Sequence, residues 1–71
     1  MNILIAESEE GAYEPISVVS SSMEAVEIAK SDMAKRKIRL ENGYAPMCPY
    51  IYKVWGPNMA GEMGIKAEIE P

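Results

Sequence analysis

The sequence predicts an α+β domain with the order β-β-α-β-β, in which one helix packs on one face of a mainly antiparallel four-stranded sheet. Three observations predict it. Segments of strand length lie at both ends of the chain, a capping signal and a 3.6-residue hydrophobic period occupy the middle, and polar stretches containing glycine or proline separate the elements. A chain of 71 residues can bury one core only. We therefore assign residues 1–71 to a single small domain.

The first two strands are predicted as a hairpin. Residues 2–6 form a mostly apolar run of strand length, and the acidic stretch 7–11 after it ends in a glycine, which is typical of a turn. Pro15 lacks a backbone donor but is tolerated where a strand begins. Residues 16–20, which are rich in β-branched side chains, are predicted as the second strand.

The helix is predicted to begin after Ser21. Ser21 and Glu24 form a capping box, in which each side chain accepts a hydrogen bond from an unpaired amide of the first turn. Gly43 favours a left-handed stop at the other end. The apolar residues of one stripe, expected to face the sheet, are Ala25, Val26, Ala29, Met33 and Leu40, with Ile28 beside them.

A second interpretation of the helix end is a short hairpin over residues 37–45. Residues 37–41 alternate as a strand does, and Asn42-Gly43 suits a tight turn. Pro46 and Pro49 count against it, because each would remove a hydrogen-bond donor from the ladder. We therefore favour a helix followed by an irregular connection over residues 44–49.

The second hairpin is predicted from residues 50–55 and 65–70, with a loop over 56–64 between them. In the fourth strand Ile65, Ala67 and Ile69 alternate with charged residues and are expected to face the helix.

The register of this hairpin follows from its charges. Placing Lys53 opposite Glu68 makes a cross-strand charge pair and also places Trp55 opposite Lys66.

The sheet face away from the helix is the predicted interaction surface. Lysine is rarely buried, so Lys53 assigns Ile51 and Trp55 to this uncovered face. Val19 and either Ile3 or Leu4 are expected to add apolar groups there. The candidate partner-binding residues are Ile51, Lys53 and Trp55. The alternative is that Trp55 folds over the sheet edge and fills a small core.

Four of the seven basic residues cluster late in the helix and form a candidate nucleic-acid site: Lys35, Arg36, Lys37 and Arg39. Tyr50, Tyr52 or Trp55 would then stack on bases. Asp32 and Arg36 also suit an ion pair within the helix. A net charge of −4 and an acidic stretch near the N-terminus weigh against binding to phosphates. The acidic residues Glu7, Glu9, Glu10 and Glu14 are expected at the opposite pole from the basic cluster.

Composition argues against catalysis. The chain has no histidine, no nucleophile elbow and no acidic calcium-binding loop. We therefore expect no enzyme activity, no catalytic residue, no metal site, no cofactor and no small-molecule substrate.

Cys48 cannot form an internal disulfide and is expected to pack as a small hydrophobic group. The apolar run near the start is too short for a signal peptide or a membrane span, which predicts a cytoplasmic protein without a membrane partner.

The sequence does not determine the function. The leading hypothesis is a small acidic protein-interaction module, self-associating as a homodimer or binding another protein through the open sheet face. Compact acidic domains encoded by phages or mobile elements as inhibitors offer an analogy of size and charge. The alternative is an accessory protein that binds nucleic acid through the basic cluster.

Overall fold

The computed structural model describes all 71 residues and confirms the predicted element order. The strands are β1 (Asn2–Glu7), β2 (Tyr13–Val19), β3 (Ile51–Pro57) and β4 (Met63–Ile69), and the helix is α1 (Ser22–Glu41). The strands form one antiparallel sheet with the order β2-β1-β3-β4, so that β1 and β3 are central and β2 and β4 are the edges. The second strand begins three residues before its predicted start, and the fourth begins two before.

The two hairpin loops have the same backbone geometry. In the first, Ser8 N donates to Ala12 O at 3.0 Å and Gly11 N donates to Ser8 O at 3.1 Å. In the second, Asn58 N donates to Glu62 O at 2.8 Å, and the amide of its glycine donates to Asn58 O at 3.0 Å. Both glycines have a positive φ, 87° in one loop and 81° in the other, a conformation that other residues seldom adopt.

The similarity of the two hairpins extends along their strands, because each residue of the first hairpin corresponds to the residue 50 positions later in the second. The register shifts between Leu4 and Ile5 in the first hairpin and between Val54 and Trp55 in the second. Leu4 also pairs with Val54 at the centre of the sheet, so a local twofold axis through this pair relates the two hairpins. The sheet therefore consists of two structurally equivalent hairpins. The single helix packs on one face only and has no symmetry-related counterpart. Among the 18 residues related in this way, only the two loop glycines are identical.

The helix begins and ends as the sequence predicts. Ser21 is the N-cap and accepts from Glu24 N at 3.1 Å, while Glu24 Oε1 accepts from Ser20 N at 2.8 Å. At the other end Gly43 has a φ of 88°, and Tyr44 N donates to Arg39 O at 3.0 Å, which closes a Schellman motif. The Asn42-Gly43 pair therefore ends the helix, and the alternative hairpin over residues 37–45 does not form.

The core lies between α1 and the two central strands. Ala25 and Ala29 are buried on the helix, where their small side chains let the helix approach the sheet closely. On the sheet side the fully buried residues of the same cluster include Leu4 and Tyr52. Burial of such side chains stabilises the fold by roughly 1.5–3 kcal/mol each.

Two apolar predictions are wrong. Leu40 is exposed, because α1 is about 30 Å long and the strands are about 20 Å, so that the last helical turns extend past the sheet. Val19 is buried in the helix-side core and does not belong to the open face.

Candidate interaction surface

No helix or strand covers the sheet face opposite α1. The registers align four apolar side chains in one line across this face, one from each strand. From edge to edge, this line, the Trp55 row, consists of Val18, Ile3, Trp55 and Ile65. Val18 and Ile65 are exposed, and the two central members are half-buried by their neighbours. The row is therefore a continuous apolar strip open to solvent.

A bulge determines the outer end of the Trp55 row. Trp55 pairs with Ile65 and Val54 pairs with Ala67, so Lys66 is the extra residue of β4. The predictions that Ile65 faces the helix and that Trp55 lies opposite Lys66 are both wrong for this reason. The inserted residue shifts the alternation of β4 by one position. Lys66 lies beside Gly56 on the helix side, and Ile65 moves to the open face.

One ion pair lies beside the Trp55 row. Lys53 Nζ is 3.1 Å from Glu7 Oε2 on the adjacent strand, and both side chains are mostly shielded. The hydrogen bond that Lys53 donates to Glu7 raises the pKa of Lys53 above its ordinary value. The predicted register, with Lys53 opposite Glu68 on the other side, is confirmed, but the two side chains form no ion pair. Lys53 is thus held within the face by Glu7 and does not project from it.

The three predicted partner-binding residues have different surroundings. Trp55 and Lys53 are half-buried on the open face, as their shared alternation requires. Ile51 belongs to the same alternation but is buried opposite Glu7, at the far end of the face. Trp55 does not belong to the helix-side core, so the alternative prediction that it fills a core is wrong.

The predicted basic cluster does not form one surface. Arg36 is buried, with 5% of its side chain exposed, and its guanidinium is fully engaged. Its Nε donates to Asp32 Oδ2 at 2.7 Å, and NH1 donates to Met47 O at 3.1 Å. NH2 lies 3.2 Å from Glu14 Oε1 on β2. The predicted ion pair with Asp32 is confirmed, but it is the centre of a buried network.

This network joins the helix to the sheet. The Tyr52 hydroxyl donates to Asp32 Oδ2 at 2.6 Å, the oxygen that Arg36 also contacts. Burial and the bond to Asp32 raise the pKa of Tyr52 above its ordinary value. Burial alone would lower the pKa of Arg36, but the hydrogen bonds and charges of Asp32 and Glu14 hold it above its ordinary value. Arg36 therefore remains charged in the folded protein.

The structure separates several of the residues predicted for nucleic-acid binding. Lys35, Lys37 and Arg39 are exposed on the helix, whereas Trp55 lies on the opposite face of the sheet. Tyr52 is fully buried and cannot stack on a base, whereas Tyr50 is exposed. Of the acidic residues expected at an opposite pole, Glu14 is not there. Glu14 touches the helix through Arg36, so both charges share one end of the molecule.

Other chemical groups form no site. Cys48 is exposed, contrary to the prediction that it packs, because it lies in the irregular connection between two prolines. No group of three acidic or cysteine side chains converges in a way that could hold a metal ion. The helix is not apolar enough along its length to cross a membrane.

Two features of these surfaces were missed by the sequence analysis. Val18 and Ile65 complete the Trp55 row, but their placement depends on the register and on bulges, which leave no residue signature of their own. Arg36 did carry a signal, because it falls in the helical stripe that also contains Met33. A cation in such a stripe, four residues after an aspartate, indicates a buried pair.

Comparison of the chain with protein-family models, curated proteins and solved structures finds no match.

Proposed function

We propose that this protein is a non-catalytic interaction module that self-associates weakly through its open sheet face. The Trp55 row is the observation that carries the proposal. A single helix covers one face of the sheet, so the other face meets either water or another molecule. A contiguous apolar strip on that face favours another molecule. Tryptophan is among the residues most enriched at the energetic centres of protein interfaces.

The shape of the row favours a second copy of the chain as the occupant. Two sheets pack face to face about 10 Å apart. A twofold axis parallel to the strands would bring β1 of one copy over β3 of the other. The large Trp55 side chain would then meet the smaller Ile3 of the second copy, and Val18 would meet its Ile65. Large side chains opposite smaller ones are what a packed interface needs.

The charges on the face suit the same arrangement. With this axis, Lys53 of each copy would lie over β1 of the other copy, the strand that carries Glu7. The ion pair that now stabilises one face would extend across the interface as a group of alternating charges. Such complementarity contributes to the register of an interface more than to its affinity.

The size of the face limits the affinity. Four strands about 4.8 Å apart, with seven residues that rise about 3.3 Å each, make a face of roughly 20 Å by 20 Å. This is about half of the roughly 800 Å² that each partner contributes to a standard interface. We therefore expect a dissociation constant in the micromolar range or weaker.

The absence of histidine, together with the lack of a converging acidic or cysteine cluster, supports a role without catalysis, metal or cofactor. The single cysteine agrees with action in the reducing cytoplasm.

Sedimentation velocity of matched variants tests the proposal. Ile65 and Ile38 are both solvent-exposed isoleucines, 46% and 57% respectively, but only Ile65 lies on the open face. We expect the wild type and Ile38→Glu to sediment faster as the concentration rises to millimolar, whereas Ile65→Glu remains a monomer. Circular dichroism checks that both variants are folded. A wild type that stays monomeric, or an association that Ile65→Glu leaves intact, would refute self-association through this face.

A further inference from the structure

A groove runs between α1 and β4 on the helix side of the sheet. Its volume is about 340 Å³. The helix wall presents Val26, Lys30, Met33 and Lys37, and the strand wall presents Ile69 and Glu70. The groove exists because a helix about 10 Å wide cannot cover four strands that together span roughly 19 Å. Its floor is apolar and its helix rim is basic.

The strand beside the groove has an unpaired edge. β4 is the last strand of the sheet, so nothing pairs with its outer side. The other edge strand, β2, contains Pro15, which cannot donate to an added strand. β4 has no proline within its bounds, and it is regular after the bulge at Lys66. An extended chain can therefore pair with β4 over residues 67–69 while it packs against the helix.

The charges that line the groove determine which side chains an added strand can carry. Lys30 and Lys37 lie two turns apart on the same side of α1, and neither forms an ion pair, because the ion pairs of the protein involve only Arg36 and Lys53 as cations. Two unpaired ammonium groups on the helix wall outnumber the one carboxylate of the strand wall, Glu70, and favour carboxylates in the occupant. A cationic occupant would instead meet repulsion along the whole helix wall.

We infer that this groove binds an extended acidic segment of a partner protein by strand addition to β4. The apolar side chains of the segment would pack on Met33 and Ile69, and its carboxylates would reach Lys30 and Lys37. The groove lies on the opposite side of the sheet from the Trp55 row. Binding in the groove therefore does not depend on self-association through the open face.

Selection from a display library of random dodecapeptides tests this inference. We expect the enriched peptides to alternate acidic and apolar residues, and we expect the affinity of a synthetic copy to fall with added salt. The double variant Lys30→Glu with Lys37→Glu should weaken this peptide by roughly tenfold or more, as expected when two exposed ion pairs become repulsions. Lys35→Glu is the matched control, because Lys35 is exposed on the same helix but does not line the groove.

Three results would overturn the inference: no enrichment, enrichment of basic peptides, or peptides that bind equally well to the double variant. Ile65→Glu separates this site from the open face. Acidic peptides should bind Ile65→Glu as they bind the wild type, even if that variant has lost self-association. Peptides that lose affinity for Ile65→Glu but not for the double variant would place binding on the Trp55 row and would contradict the inference.

Discussion

Trp55 lies directly opposite Ile65 on the neighbouring strand. This pairing gives the open face an apolar strip across all four strands, because the bulge transfers Lys66 to the helix side. Without the bulge, a lysine would stand beside Trp55 and Ile65 would add to the helix-side core. One inserted residue thus decides whether the open face favours water or another apolar surface.

Removal of Arg36 is expected to destabilise the fold strongly. Arg36→Ala would leave the half-buried Asp32 without its cation and would free the Met47 carbonyl. We expect a loss of about 3 kcal/mol in the free energy of unfolding, at the lower end of the range for a broken buried pair, because Glu14 is half-exposed and screened by water. Urea denaturation followed by circular dichroism measures it.

Lys35→Ala is the control for this experiment, because Lys35 is adjacent in sequence, exposed and free of ion pairs. We expect it to change the stability by less than about 0.5 kcal/mol. Equal effects of the two variants would contradict the buried network.

Tyr52 should make the stability depend on alkaline pH. The folded state raises the pKa of Tyr52, so folding favours the neutral phenol. The contribution is complete below the unfolded pKa of about 10 and is lost as the pH rises above it. Urea denaturation at a series of pH values measures the loss.

Tyr52→Phe removes the titrating group and the hydrogen bond to Asp32. We expect it to lower the stability near neutral pH by about 1.5 kcal/mol and to flatten the decline above pH 10. A decline of the same steepness in this variant would assign the alkaline effect to other groups.

Two glycines that face each other across the β3–β4 ladder should respond differently to alanine. A Cβ at Gly56 would overlap the Asn2 side chain and press on Lys66, whereas a Cβ at Gly64 would meet open space. We expect Gly56→Ala to destabilise the fold by about 1 kcal/mol and Gly64→Ala to be neutral or stabilising by about 0.5 kcal/mol. Thermal unfolding of both variants checks the difference, and the reverse order would contradict the packing around Gly56.

The element order and the helix limits could be predicted because their signals are local. Ser21 with Glu24 caps the start of the helix, and Gly43 ends it, through hydrogen bonds that span only a few residues. The charge pair of Lys53 and Glu68 likewise predicted the register near the end of the second hairpin.

Long-range placement could not be predicted in the same way. The position of Ile65 depends on a bulge, and the sheet order determines that Ile3 lies beside Trp55. The burial of Arg36 depends on Glu14 and Met47, which come from distant parts of the chain. A basic run in the sequence therefore looked like one surface, although its central residue is in the interior.

The emission of Trp55 as a function of protein concentration tests self-association most directly, because Trp55 is the only tryptophan and lies at the centre of the open face. In a dimer both copies of its indole would be removed from water. We predict an emission maximum that moves to longer wavelength on dilution from millimolar to low micromolar, in parallel with the fall in sedimentation coefficient. An emission maximum that does not change over this range would contradict association through the Trp55 row.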